Sequence, residues 1–428
     1  MASVNVGALE ELFFYATIRY MRHGLLLLAV ILVLGAAVFS SRAFLSSGIG
    51  KNLTALLIEQ GASSARLRQA YNTRKINVLV VAGHDDDVPG AVWRGMRESE
   101  LNRMLADRLF QLFYADPYFR VSRSRTARGY TMDFQALFET DEGRGQIDAF
   151  RSRAAQLMRQ AFRAGEVAKR TNVHHPAASN DTAQKLYGIN KWANENNIDL
   201  VLHVHFNDYP GRPAGAAGKY TGFSIYVPES QLPNAKASRD IAESLLETLA
   251  TIAPPSSMPQ EQGGIVADQD LIAIGANASL KSAVALVEYG YIYEPQFGQP
   301  ELRDAVLGEL AFQTFRGVKK FFAPDYNGPA GGFGTTILPY RWEHALERGT
   351  QQKKDIFALQ LALSKAGLYP PVGQMRAHCP INGNYGPCTA AAVAVFQEQN
   401  RRVLPVASVG TGVADTATLQ ALGMVYGR

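Results

Sequence analysis

The chain has 428 residues, 47 % of them hydrophobic, and a formal net charge of +5. At about 100–200 residues per domain this is too long for one ordinary domain, and enough apolar residues are present for a sizeable core. The positive charge is spread along the chain without a long Lys/Arg run, so the electrostatic footprint of a nucleic-acid binder is missing; solubility or an anionic polymer remains as its use.

In chain order, residues 24–39 (GLLLLAVILVLGAAVF) carry no charge. With its flanks the stretch approaches the ~20 residues that span a bilayer. Arg19, Arg22 and His23 precede it and Arg42 and Lys51 follow, a slight excess that favours an N-terminus on the inner side. A cleaved signal peptide is the rival, but the preceding segment is long for one and no clean A-x-A site follows. The expectation is an uncleaved single-pass anchor with the rest of the chain exported. Residues 51–75 are polar with scattered leucines and read as a helical stalk.

Residues 76–82 (INVLVVA) read as a first strand, and 100–113 as a helix with Leu101, Met104, Leu105, Leu109 and Phe110 on one stripe. A long stretch follows, about 125–185, in which 148–163 has the spacing of an amphipathic helix. It reads either as a surface elaboration packed on the sheet or as a lid over a site, and His174 and His175 within it could reach a metal. Residues 200–206, 222–227 and 282–291 read as further strands, and 236–252 and 301–320 as helices. This alternation predicts an α/β domain with a mostly parallel sheet flanked by helices. Residues 324–336 are rich in Gly and Pro, a linker signature, and 355–423 form a compact helical segment. Both cysteines, Cys379 and Cys388, lie there. Their spacing is not that of a zinc ribbon; in an exported protein they could pair.

Ligands of open α/β sheets gather at the carboxyl ends of the strands. His84 follows the first strand, His203 and His205 lie in the second, Glu288 is near the end of the last, and Glu98 stands where a helix begins. Imidazole and carboxylate are ordinary zinc ligands, and a further carboxylate beside a zinc-bound water can act as general base. His203 and His205 point to one face of their strand. His205 is nearer the carboxyl end, which favours it as the ligand over His203. Any one of these residues alone is equally well a strand cap.

The blocks around them resemble the zinc-dependent N-acetylmuramoyl-L-alanine amidases of the type 3 family. The matching pieces are Gly83-His84, Pro89-Gly90-Ala91, Arg97-Glu98, Ala193-Asn194, Asp199, His205 with Asn207, and Leu286-Val287-Glu288 with Gly290-Tyr291. The resemblance implies that His84, Glu98 and His205 hold one zinc ion and that Glu288 is the catalytic carboxylate. The implied reaction is hydrolysis of the amide between N-acetylmuramic acid and L-alanine of peptidoglycan. The sequence departs from the family pattern at Asp85 and Asp86, where glycines are usual. It departs again at Val88, where aspartate is usual, at His203, where serine is usual, and in the long 125–185 stretch.

The C-terminal segment resembles the type 1 peptidoglycan-binding domain, a three-helix module. The match rests on Leu359-Gln360, Gly383-x-Tyr385-Gly386, Thr389, Ala392-Val393, Phe396-Gln397 and Thr418-Leu419. The chain is therefore divided as follows: 1–45 cytoplasmic segment and transmembrane anchor, 46–75 stalk, 76–323 zinc amidase domain with the insertion, 324–350 linker, 351–428 peptidoglycan-binding domain. The expected partners are peptidoglycan, a membrane through the N-terminal helix and a protein activator, with no nucleic acid. The alternatives are an inactive wall-binding scaffold on the same fold, or a zinc peptidase cutting within the stem peptide.

Overall fold

The computed structural model describes residues 61–170, 173, 177–209, 211–213, 215–274, 281–326, 328 and 332–426. The apolar stretch 24–39, and His174 and His175, lie outside the described residues. Among the described residues no helix is long and apolar enough to cross a membrane.

In chain order the elements are α1 (Ser64–Thr73), β1 (Ile76–Ala82), the short hairpin β2 (Val92–Trp93) and β3 (Met96–Arg97), and α2 (Glu98–Ala115). Then come β4 (Phe119–Arg123), β5 (Arg125–Thr126), β6 (Gly129–Tyr130), α3 (Met132–Glu139), α4 (Asp141–Ala164) and α5 (Asn180–Glu195). The domain continues with β7 (Leu200–Asn207), β8 (Ser224–Pro228), α6 (Ala235–Leu249), β9 (Ile265–Asp268), β10 (Ala283–Tyr291) and α7 (Pro300–Phe322). The C-terminal helices are α8 (Lys353–Lys365), α9 (Pro387–Gln399) and α10 (Thr416–Tyr426).

The main sheet has the order β4-β1-β7-β10-β8-β9. β4, β1, β7 and β10 run parallel, while β8 is antiparallel to β10 and carries β9 parallel to itself. Apolar runs such as INVLVVA suit strands buried on both faces. On β7, Leu200, Leu202, Val204 and Phe206 enter one core, shared with α2, α6 and α7. Val201 enters the other, formed with Phe134 and Phe138 of α3, Ile147 of α4 and Tyr187 of α5. Strand alternation puts His203 and His205 on that second face.

Two parts of the chain differ from the sequence expectation. Residues 64–73 are helical, but they are no free stalk. Leu67 and Tyr71 are buried in the first core, and Ser64 and Arg68 donate to Asp240 and to the Phe321 carbonyl. The Gly/Pro-rich linker is pinned at its C-terminal end. Buried Glu309 of α7 accepts hydrogen bonds from the Thr335 and Thr336 hydroxyls and the Thr336 N–H. Gln313 and Arg316 of α7 and Lys365 of α8 all donate to the Gly334 carbonyl. Residues 334–336 are thus a packed crossing, because burial of Glu309 demands donors and this end of the linker supplies them.

The inserted stretch folds onto the sheet. Thr140 caps α4 by accepting from the Gly143 N–H, and Gly165, in the left-handed conformation, ends the helix. Ile147 of the first half joins the second core; the second half buries Ala161 but leaves Leu157 and Phe162 exposed.

The C-terminal module is built on two buried glutamines. Gln360 accepts from the Asn382 and Gly383 N–H groups and donates to the Asn384 carbonyl and Thr389. Gln397 accepts from the Gly412 N–H and donates to the Val413 carbonyl and Thr418. Cys379 and Cys388 form a disulfide in this module.

Glu309→Ala removes the acceptor of four donors, the three from the linker and Gln313 Nε2, and one such buried loss costs about 1–3 kcal/mol. The expected result is a lower melting temperature and faster proteolytic cutting within 324–336 than in the parent protein. Unchanged cutting would show that the linker is held by other contacts.

Candidate metal centre

His84, Glu98 and His205 converge beyond the carboxyl ends of β1 and β7. Each offers one ligand atom, and these atoms lie within 4.8 Å of one another. Glu98 is buried between the imidazoles: its Oε2 is 3.3 Å from His84 Nε2, and its Oε1 is 3.1 Å from His205 Nδ1. Tetrahedral zinc with bonds of ~2.0–2.2 Å separates its ligands by roughly 3.3–3.6 Å; the two carboxylate–imidazole distances are close to that, and the donor set suits the ion.

Each ligand position has a local cause. β1 ends at Ala82, and the chain then turns through His84, whose φ of 57° is left-handed, a conformation costly for a side-chain-bearing residue and common at functional sites. Glu98 is the first residue of α2, where the helix dipole favours a negative group. Its Oε2 also accepts from the Ala91 N–H, and its Oε1 from the Phe206 N–H and Asn102 Nδ2. His205 comes from the strand alternation.

Two glycines leave the room that this needs. A Cβ on Gly83 would stand 2.2 Å from His205 Nε2; one on Gly90, which is also left-handed, would stand 2.3 Å from Glu98 Oε2. Burial lowers the pKa of His84, with the Glu98 charge opposing. Burial pushes the Glu98 carboxyl up, but the His205 hydrogen bond and the two imidazole charges outweigh it and hold it below its ordinary value.

Glu288 faces this group from the neighbouring strand. In the parallel β7–β10 pair it is in register with His205, so both side chains lie on one face. Its Oε2 is buried without a hydrogen-bond partner. Burial, then the charges of Glu98 and Glu261, raise its pKa well above the ordinary carboxylate value.

His203 lies one residue-pair below His205. It is buried with both ring nitrogens unpartnered, and burial, with His205 adding, pushes its pKa down to about 3. It is a neutral packing residue, separate from the three-residue group.

Sequence reading missed the groups that hold the site from behind. Asp85, standing where the family has glycine, is buried. Its Oδ1 accepts from the Asp87 and Val88 N–H groups; its Oδ2 accepts from Tyr130 OH at 2.9 Å and Lys185 Nζ at 2.6 Å. The loop after His84 is thereby tied to β6 and to α5. Burial works against the Asp85 charge, but the bonds from Lys185, the Val88 N–H and Tyr130 together with the Lys185 charge outweigh it and lower the pKa. Glu261, fully buried, accepts from Asn207 Nδ2 at 2.9 Å, Tyr226 OH at 2.7 Å and Tyr291 OH at 3.1 Å. The stretch PQEQGG around it has no periodicity or spacing that would single it out.

A carboxylate wedged between two imidazoles at the carboxyl edge of a parallel sheet, with an unpartnered carboxylate alongside, is a donor set able to hold a metal ion. Residues 78–300 match the family model described as N-acetylmuramoyl-L-alanine amidase, and the chain belongs to that family. It is an enzyme that hydrolyses the amide bond between N-acetylmuramic acid and L-alanine in peptidoglycan. Residues 352–422 match a peptidoglycan binding domain.

Among solved structures, the CwlD amidase of Clostridioides difficile, in complex with the GerS lipoprotein, is similar at 12% identity and TM-score 0.39, covering 59% of this chain and 100% of that one. The amidase Ami1 of Mycobacterium smegmatis is similar at 18% identity and TM-score 0.37, covering 59% and 99%. AmiC2 of Nostoc punctiforme is similar at 13% identity and TM-score 0.34, covering 57% and 96%. At these values the assignment rests on the family match. A search of curated proteins finds no match.

Asp85→Ala frees the loop that carries His84 without touching the converging atoms. Loss of a group supporting a ligand typically weakens metal affinity about 10–100-fold. Competition with a chelator is expected to strip zinc from this variant at correspondingly lower chelator concentration. Equal retention would show that the His84 loop is held by its backbone alone.

Proposed function

We propose that His84, Glu98 and His205 hold one zinc ion, and that Glu288 transfers the proton in the amidase reaction. The observation that carries this reading is the convergence of the three ligand atoms beside the unpartnered Glu288 Oε2. When bound, zinc polarises the scissile carbonyl and lowers the pKa of its water.

The chain's residues then have separate tasks. The Glu98 carboxylate keeps both imidazoles oriented. Glu288 Oε2 accepts a proton from the attacking water and returns it to the nitrogen of L-alanine as the C–N bond breaks. One water is consumed, and a muramic carboxyl and a free amine result. The raised proton affinity of Glu288 suits a group that must take and hand back a proton. The peptidoglycan-binding module keeps the enzyme on its polymer.

We also propose an exported, membrane-held protein with its catalytic domain on the periplasmic or extracellular side. Its support is the uncharged stretch 24–39 and the Cys379–Cys388 disulfide, since disulfides persist in oxidising compartments. A protein activator is proposed as a partner, supported by the exposed Leu157 and Phe162 on α4.

Metal analysis tests the ligand set. His205→Ala is expected to lose zinc and activity together; a variant that keeps its zinc would move the ligand role to another group. Glu288→Gln preserves shape and removes the base. Its expected behaviour is full zinc content with turnover on muropeptides lowered at least ~100-fold, the lower range for loss of a general base. Near-normal release of the L-alanine amine, followed by mass spectrometry, would assign the proton transfer elsewhere.

A further inference from the structure

A cleft of about 520 Å³ lies where the catalytic domain meets the C-terminal module. Trp93, Arg94, Tyr293 and Arg303 line it from the catalytic side; Lys353 and Asn384 line it from the module. We infer that this interdomain cleft is a second substrate site, which takes the carboxylate-bearing part of the peptidoglycan stem peptide. The inference rests on the amidase reading and adds to it where the rest of the substrate lies.

Charge comes first. Arg94, Arg303 and Lys353 bring three cations to the cleft, and Arg94 and Lys353 have no carboxylate partner among the described residues. Arg303 donates Nη1 to Met96 Sδ and the Phe297 carbonyl, while its Nε is buried without an acceptor. The one lining carboxylate, Glu294, is buried and already occupied. Its Oε1 accepts from the Gly222 and Tyr291 N–H groups, and its Oε2 from Gln296. The cleft is therefore cationic toward a ligand. In peptidoglycan the free carboxylates belong to the stem peptide, beyond the alanine whose nitrogen is released.

Position comes second. The hairpin β2–β3 that carries Trp93 springs from the metal centre: Ala91 bonds Glu98 through both its N–H and its carbonyl. Arg212 braces the hairpin, donating to the Val92 carbonyl and lying over the Trp93 and Tyr293 rings. Trp93 is two residues from Ala91, roughly 7 Å along an extended strand. An extended peptide advances about as far over two residues, so a stem peptide that runs along the hairpin from the metal centre reaches the cleft with its next residues.

Rigidity comes third. The wall contributed by the module is fixed, because the linker is pinned to α7 at Glu309 and Gly334. Gly383 also meets α7 closely: a Cβ there would stand 3.0 Å from Leu302 and 2.6 Å from the Lys353 carbonyl. Lys353 is thus held opposite the hairpin.

The test compares two muramyl tripeptides, one with free side-chain carboxylates and one with them amidated, binding to full-length Glu288→Gln protein by calorimetry. Adding Arg94→Gln and Lys353→Gln is expected to weaken the free-carboxylate ligand about 5-fold, the scale of two exposed ion pairs, and to leave the amidated ligand unchanged. Lys353→Arg should bind like its parent. With Glu288 present, the same pair should raise KM for the free-carboxylate substrate. Melting temperature and zinc content establish that the variants are folded. Equal affinity in the double variant, or equal loss for both ligands, overturns the proposal. Failure of the parent enzyme to release the alanine amine from either muropeptide would instead overturn the amidase reading, whatever the affinities.

Discussion

Glu98 carries a constraint that shapes the whole region between β1 and α2. A carboxylate this buried is tolerable only when surrounded by donors or positive charge. The chain provides the N-terminus of a helix, the Ala91 and Phe206 N–H groups, Asn102 and two imidazoles. The left-handed turn at His84, the open backbone at Gly83 and Gly90 and the small hairpin that follows all serve to bring those partners within reach. Remove the carboxylate and there is little reason for His84 to hold an unfavourable backbone conformation, or for Gly83 and Gly90 to stand where a methyl group would collide with the His205 ring and with Glu98 itself.

The sheet sets the second half of the arrangement. Parallel pairing of β7 with β10 places Glu288 beside His205 because register in a ladder fixes which side chains are neighbours. The reversal at β8 has its own use. This antiparallel strand carries Tyr226 back under the site, where it joins Tyr291 and Asn207 in closing around Glu261. This second buried carboxylate holds the polar end of β7 in place and adds to the field that raises the proton affinity of Glu288.

A C-terminal module on a loose linker would act as a tethered anchor that raises local concentration. Here Gly334 and Glu309 receive the linker and α7 too tightly for that picture. A module held at one angle presents its polymer to the metal centre in one direction. Orientation, in addition to proximity, then becomes part of how the enzyme engages the wall.

Sequence by itself determined the central strands β1, β7, β8 and β10 and the helices α2, α4, α6 and α7, but not β4, β9, α3 or α5, and it offered the candidate side chains at the strand ends. Apolar runs ending in His84, His205 and Glu288 follow from the strand period and from the tendency of polar groups to collect at carboxyl ends, and Glu98 follows from the start of a helical stripe. What it could not determine were the partners brought in by long-range packing. Lys185 reaches Asp85 across 100 positions, and Glu261 reaches Asn207 across 54; neither lies in a periodic pattern. Nor could composition distinguish a loose Gly/Pro tether from a packed crossing, because the same residues serve both, and only the buried carboxylate of Glu309 decides between them. Local pattern reports which face of an element is apolar. Which distant charge that face meets is settled by the fold, where every buried polar group must find its partner.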